Sequence, residues 1–236
     1  MSYGTNAVRT AEEVNSSGKD YYTLYTVFAR TGSAPQGDDA VAEFEAAIDA
    51  ASAQDVVLRG VYDVSAMRAD ADVLVWITGT AAEVLQATMR AIRRTALFSQ
   101  ARIAFSAMGV HRTAEFARNH VPAFALGVDP AEWLVVYPFN RSYDWYLLDP
   151  RKRGAMLREH GMLGQEFPSV LANTTSAFAL NDWEWLLALE APELTDLVDM
   201  MRRLRESETR YHVRDEIPFY TGRRLATAAE ITEVLQ

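Results

Sequence analysis

The sequence predicts an α+β protein made of two ferredoxin-like halves. Two observations carry that expectation. Apolar periodicity reads β-α-β-β-α-β, the split βαβ order, twice along the 236 residues, with no sequence repeat between the two passages. The composition, 49% hydrophobic and 23% charged, supports a core large enough for both. The two antiparallel sheets either pack face-on or curl together into a barrel; a single irregular α+β domain is the competing reading.

Each element has its own signal. Residues 1–19 are polar and read as a flexible N-terminal arm ending in SSGKD. The first half, 20–112, opens with the β-branched and aromatic YYTLYTVFAR, a strand. Asp39 is placed to cap a helix whose apolar face is Val41, Phe44, Ala47, Ile48 and Ala51. VVLRGVYDV and DVLVWITGT are strands, Thr80 caps the helix AAEVLQATMRAIRRTALF, and RIAFSAMGVH closes the half. Residues 113–132 form an irregular connecting segment. The second half, 133–236, repeats the order: strand WLVVYPFN, helix DPRKRGAMLREHG with Gly161 as its C-cap, and strands TTSAFAL and WEWLLALEA. A long helix from Pro192 through HV and a closing strand IPFYTGRRL complete it.

Several classes of function lose their support at this point. A net charge of −9 and a pI near 5.0 disfavour tracking of nucleic-acid phosphates, so an anionic ligand must be met by local arginines. There is no cysteine, which excludes disulfides, thiolate metal sites and cysteine nucleophiles. No apolar run reaches the ~18 residues of a membrane span, and the N-terminus lacks a signal-peptide core, so a cytoplasmic location is expected. The sequence carries no GxGxxG, GxxxxGK, HExxH or GxSxG motif.

What remains unusual is VYPFNRSYDWYLLDP, residues 136–150. Tyr137 precedes Pro138, which removes a ladder donor and points to a strand edge or bulge where a phenol can enter a cavity; a packed ring with a wet hydroxyl is the plainer alternative. Arg141, among Phe139, Tyr143 and Trp145, is a candidate for bidentate carboxylate binding. The Trp145 indole can give one hydrogen bond to an anion. Of the four histidines, His160 is either a helix-end cation or a metal ligand, and His120 either a surface residue or a functional one. His111 and His212 read as solvent-facing. Aromatic walls with a few Arg, Tyr and Trp donors suit a flat apolar ligand bearing carboxylates, such as a porphyrin with one histidine on its iron.

The strings YPFNRSYDWYLLDP, RGAMLREHGMLG and NDWEWLLALEA resemble the chlorite dismutase superfamily, and within it the actinobacterial coproheme decarboxylases. The resemblance runs from about Tyr21 to Leu225, with its motifs within Trp133–Trp185. It implies a dimeric-type α+β barrel within one subunit, assembled as a homopentamer. It implies hydrogen-peroxide-dependent decarboxylation of propionates 2 and 4 of iron coproporphyrin III (coproheme), giving heme b through a three-propionate intermediate. By the same resemblance His160 is the proximal iron ligand. Tyr137 is the catalytic residue that becomes a tyrosyl radical, and His120 the distal base acting on peroxide. Arg141 and Trp145 lie near the propionates, and Arg210 is a weaker candidate for a second carboxylate contact. Substrate would arrive from a coproporphyrin ferrochelatase, by transient contact. Chlorite dismutases carry an arginine, and firmicute decarboxylases a glutamine, at a place that falls here at Ala172, beside Asn173. No arginine lies between Gly161 and Trp185, which disfavours chlorite conversion. A heme peroxidase of the same superfamily and a non-catalytic heme carrier or sensor are the alternative functions.

Overall fold

A computed structural model describes residues 7–35, 37–113 and 120–236. Residues 1–6 of the expected arm and 114–119 of the expected connecting segment lie outside the described residues. The rest of that arm is not merely extended chain. It carries helix α1, Ala11–Ser16, closed by a reciprocal Thr10–Glu13 capping box and buried at Val14.

The first half consists of β1 (Tyr22–Arg30), α2 (Asp38–Ser52), β2 (Val57–Asp63), β3 (Val73–Gly79), α3 (Ala82–Arg94) and β4 (Ala101–Val110). A short helix α4 (Ala123–Leu126) then leads into β5 (Trp133–Arg141), α5 (Pro150–Gly164), β6 (Leu171–Ser176), β7 (Trp185–Ala191), α6 (Leu194–Leu204), β8 (Val213–Asp215), β9 (Tyr220–Arg224) and α7 (Ala228–Val234). The strand order is β7-β6-β4-β1-β3-β2-β9-β5, and β5 also pairs with β7, so the sheet closes on itself as an antiparallel barrel. Each half keeps the ferredoxin-like order: β4-β1-β3-β2 in the first and β9-β5-β7-β6 in the second. The halves meet at two short seams, Tyr62↔Arg224 with Asp63↔Arg223, and Val110↔Ser176. A glycine sits at each: a Cβ on Gly222 would collide with the backbone of Asp63, and one on Gly109 with Thr175.

Local chemistry shifts several boundaries. Gly37, not Asp39, is the N-cap of α2, and Asp38 and Asp39 occupy its first turn, where their charge favours the helix dipole. Ala81 rather than Thr80 precedes α3, without a side-chain cap. Helix α5 starts from the Asp149 cap and Pro150, then runs through Gly161 to Gly164, because the exposed Gly161 meets no competing contact. His160 therefore lies one turn inside the helix. The expected long helix after Pro192 stops at Leu204. Ser207 then caps a separate 3-10 turn, Glu208–His212, by accepting from the Thr209 N–H.

Both faces of the sheet are covered, which is why β1, β3 and β5 are buried almost throughout. Tyr25, Tyr62, Leu74, Trp76, Leu134, Val136 and Leu186 fill the barrel interior. Helices α2, α3 and α7 seal the outer face of the first half around Phe28, Phe44, Ile48, Leu85 and Ile92. The layer over the second half is thinner: Val135, Tyr137, Leu189, Leu197 and Met200 are buried, but Trp133, Ala172, Leu187 and Phe219 only partly.

The interior also holds a buried ion pair. Arg59 on β2 donates through Nε (3.0 Å) and Nη2 (2.6 Å) to Glu190 Oε1 on β7. Asn173 Nδ2 reaches the same oxygen at 2.9 Å, and the Ala131 N–H reaches Oε2 at 3.2 Å. Removing one partner strands the other charge, so Glu190→Ala should destabilise the protein by about 3–5 kcal/mol in urea unfolding. Arg59→Met combined with Glu190→Leu should recover most of that loss.

Candidate active site

The second half exposes its outer sheet face to α5 and α6, and β5 supplies the central residues. Alternation sends Leu134 and Val136 into the barrel and Val135 and Tyr137 outward. Pro138 follows where the β5–β9 ladder has ended: β9 pairs with residues 133–136 only, and β8 takes up pairing at Asn140 and Arg141. The missing N–H of Pro138 thus falls in a gap on that side, as its local-edge reading anticipated. Tyr137 is buried, with its ring stacked on Phe219 at 4.4 Å and its hydroxyl 3.5 Å from the Met201 sulfur. Burial raises the phenol's pKa. Glu216 adds to that effect, and Arg205 and Arg210 oppose it. The O–H therefore stays protonated at neutral pH.

At the end of β5, Arg141 lies 4.3 Å over the Trp145 ring and 5.0 Å over Phe139. Its guanidinium has no carboxylate partner among the described residues, and desolvation lowers its pKa to about 10. Only its backbone N–H is engaged, by Glu184 Oε2 at 2.9 Å. Trp145 is buried in a 3-10 turn, with its indole N–H unpartnered among the described residues. Buried Arg153 of α5 donates to the carbonyls of Leu148 (2.8 Å) and Tyr146 (3.1 Å), tying that turn to the helix that carries His160.

His160 is half-buried on α5. Its Nδ1 lies 3.2 Å from Thr209 Oγ1, which leaves Nε2 without a partner among the described residues. Burial lowers its pKa to about 4; the charges of Arg141 and His120 add to the shift and Glu159 opposes it. Arg141, His120 and His160 thus share one electrostatic neighbourhood. His120 stays solvent-accessible, yet the atoms packed around its ring lower its pKa as well.

Arg210, the weaker candidate for a second carboxylate contact, pairs with Glu216, which also binds Arg205 at 2.7 Å. Two expectations need correction. His111 is buried, its Nε2 3.0 Å from Asn15 Oδ1, because β4 carries it under α1. His212 is also largely covered, with Ser142 Oγ 3.0 Å from its Nδ1 and the Trp145 ring 5.3 Å away. The place read as Ala172 with Asn173 beside it divides between faces. Ala172 packs on the Tyr137 side, while Asn173 points into the barrel and accepts from the Phe124 N–H.

Sequence reading missed the wall beyond Phe139. There Trp185 stacks on Phe139 at 6.3 Å and donates to the Tyr146 hydroxyl (3.0 Å), which donates to Glu184 (2.9 Å). The alternation of NDWEWLLALEA, which turns Trp185 and Leu187 outward, was the available signal. Thr209 had none. An apolar cavity of 370 Å³ opens between α6 and the β5–β9 face, lined in part by Val135, Met201, Arg205 and Phe219. It adjoins Tyr137 but contains neither His160 nor Arg141. Among the described residues no three His, Asp or Glu side chains converge on a point. A single neutral histidine suits a metal that arrives with its other ligands already in place, and an Arg141 with no ion-pair partner among the described residues, beside aromatic walls, suits a flat carboxylate-bearing carrier of it.

The depressed histidine pKa has a consequence for stability. Between pH 6.5, the ordinary histidine value, and about 4, the unfolded chain binds a proton at His160 that the folded chain refuses. Stability should therefore fall as pH drops through that window. Melting curves of His160→Gln should show a shallower fall from pH 7 to 5 than those of the parent protein.

The sequence model of the chlorite dismutase family matches residues 37–225. A coproheme decarboxylase of Mycolicibacterium smegmatis is 46% identical over 208 residues, 87% of this chain and 90% of that protein. One from Staphylococcus carnosus is 25% identical over 97 residues, 39% of each. Among solved structures, chlorite dismutase from Candidatus Nitrospira defluvii in complex with imidazole shares the fold, with a TM-score of 0.77 at 17% identity over 94% of this chain and 97% of that one. On its match over residues 37–225 and its 46% identity to a relative it spans almost completely, this chain belongs to the chlorite dismutase family.

Proposed function

We propose that this protein is a coproheme decarboxylase that converts the propionates at positions 2 and 4 of iron coproporphyrin III to vinyl groups, giving heme b. The observation that carries the reading is Arg141: a desolvated guanidinium without an ion-pair partner among the described residues, held between Phe139 and Trp145 on the strand of Tyr137 and acting electrostatically on His160. The 46% identity to a named coproheme decarboxylase supports it independently.

Each step balances as propionic acid plus hydrogen peroxide giving vinyl, carbon dioxide and two waters. The bound iron porphyrin supplies the redox chemistry with peroxide. The chain's residues supply placement and proton control. His160 offers a neutral Nε2 to the iron at any pH well above 4. Arg141 and the Trp145 N–H hold a carboxylate so that the neighbouring carbon faces Tyr137. The protonated Tyr137 would pass one electron to the peroxide-oxidised porphyrin and release its proton, its phenoxyl would take a hydrogen atom from the propionate β-carbon, and a second electron passed to the porphyrin would let carbon dioxide leave and the vinyl group form. His120, kept neutral by its surroundings, takes a proton from peroxide. The phenol's burial against Phe219 and Met201 keeps bulk water from the radical. Ala172 on the same face leaves no cation where chlorite dismutases have one. The reading also takes in a homopentamer, transient contact with a ferrochelatase and a cytoplasmic location; no helix among the described residues is long and apolar enough to cross a membrane.

Purified protein incubated with ferric coproporphyrin III and peroxide should show two successive mass losses of carbon dioxide plus two hydrogens. Tyr137→Phe should bind the porphyrin and show neither loss; conversion at the parent rate would end the tyrosyl mechanism. Bleaching without mass loss in the parent protein would favour a carrier or peroxidase. Arg141→Met should weaken coproporphyrin binding by about 10- to 100-fold, the equivalent of one charge-assisted hydrogen bond, in a fluorescence-quenching titration. Its effect on a porphyrin with esterified propionates should be far smaller.

A further inference from the structure

We infer that the Thr209–Ser207 hydroxyl pair is the positioning device for His160. It fixes the ring by its Nδ1 and leaves it a weakly donating ligand, because the chain ends on neutral oxygens. This rests on the reading of His160 as the iron ligand.

A neutral imidazole carries one ring proton, and a ring that offers Nε2 to a metal must keep that proton on Nδ1. Nδ1 lies 3.2 Å from Thr209 Oγ1, so the Thr209 hydroxyl accepts it. The Thr209 hydrogen is then free to turn towards Ser207 Oγ, 3.0 Å away. Both hydroxyls are buried, at 4% and 3% exposure, so water does not replace either readily. Their positions are fixed by backbone as well: Ser207 Oγ accepts from the Thr209 N–H at 3.3 Å and caps the 3-10 turn Glu208–His212. The break between α6 and this turn, where a continuous helix was expected, is what brings Thr209 against α5.

No carboxylate among the described residues joins the Thr209–Ser207 hydroxyl pair. Glu159, the acidic group that acts on His160, accepts from the Glu208 N–H at 3.3 Å and is the weakest of the charges acting on that ring. A carboxylate on Nδ1 would push the ring towards imidazolate and strengthen its donation to a metal; a hydroxyl does so much less. The Arg141 guanidinium acts on the same ring and outweighs Glu159, which weakens donation further.

The test compares Thr209→Val, which keeps the shape and removes the hydroxyl, with Thr209→Ser, which restores it. In the unloaded protein, nitrogen NMR of the His160 ring should show a changed tautomer balance in Thr209→Val and the parent balance in Thr209→Ser. In the protein loaded with ferrous coproporphyrin, the iron–histidine stretching band should shift down and broaden in Thr209→Val. Affinity should fall about tenfold, and Thr209→Ser should restore both. If His160→Ala abolishes that band while Thr209→Val leaves band, tautomer and affinity at parent values, the Thr209 assignment is wrong and His160 remains the ligand. If the band survives in His160→Ala, the ligand assignment itself fails and Thr209 loses its role with it.

Discussion

The Arg59–Glu190 ion pair is the contact through which the parts of this protein are held in one geometry. It joins β2 of the first half to β7 of the second inside a closed barrel. Charges placed there lose their water and must be repaid by hydrogen bonds. The neighbouring chain provides them: Asn173 and the Ala131 N–H complete the carboxylate, and the Val128 carbonyl accepts from Arg59 Nη1 at 2.8 Å. Asn173 also receives the Phe124 N–H at 2.9 Å. The segment from α4 to β5 is thereby fastened to the interior at three points. His120 enters at one end of that segment and Tyr137 leaves on the strand at the other.

The two halves share a strand order and differ in what covers them. Over the first half, α2, α3 and α7 bring large apolar side chains that close the outer face. Over the second, α5 and α6 leave several sheet residues half-covered, and polar groups gather at the margin: Arg141, Glu184, Tyr146, Glu216. Duplicated topology gave two equivalent faces, and side-chain volume decided which one stayed open to a ligand.

The open face is electrostatically prepared. Arg141 is desolvated, with Glu184 the carboxylate that acts on it among the described residues, and His160 is held neutral well below the ordinary histidine range. Glu216, in contrast, is shared between Arg205 and Arg210. Arg141 and Arg210, the two arginines read from the sequence, thus differ in that Arg210 has an ion-pair partner and Arg141 has none among the described residues.

The sequence by itself determined the α+β class and the doubled strand order and marked Arg141 among its aromatics as out of place in ordinary core, while Tyr137 and His160 were singled out by the family resemblance. Those features are local: periodicity follows from backbone geometry, and an arginine among aromatics is conspicuous in a string of letters. Helix ends were less legible. Gly161 read as a stop because glycine often ends helices, yet nothing in the fold competes with α5 continuing past it. Closure of the barrel, the fate of Arg210 and the burial of His111 depend on residues far apart in sequence and were decided only by the tertiary structure. So was the hydroxyl partner of His160, 49 positions away. A hydrogen bond depends on where two atoms come to rest, and only the packing of α5 against the turn after α6 sets that distance.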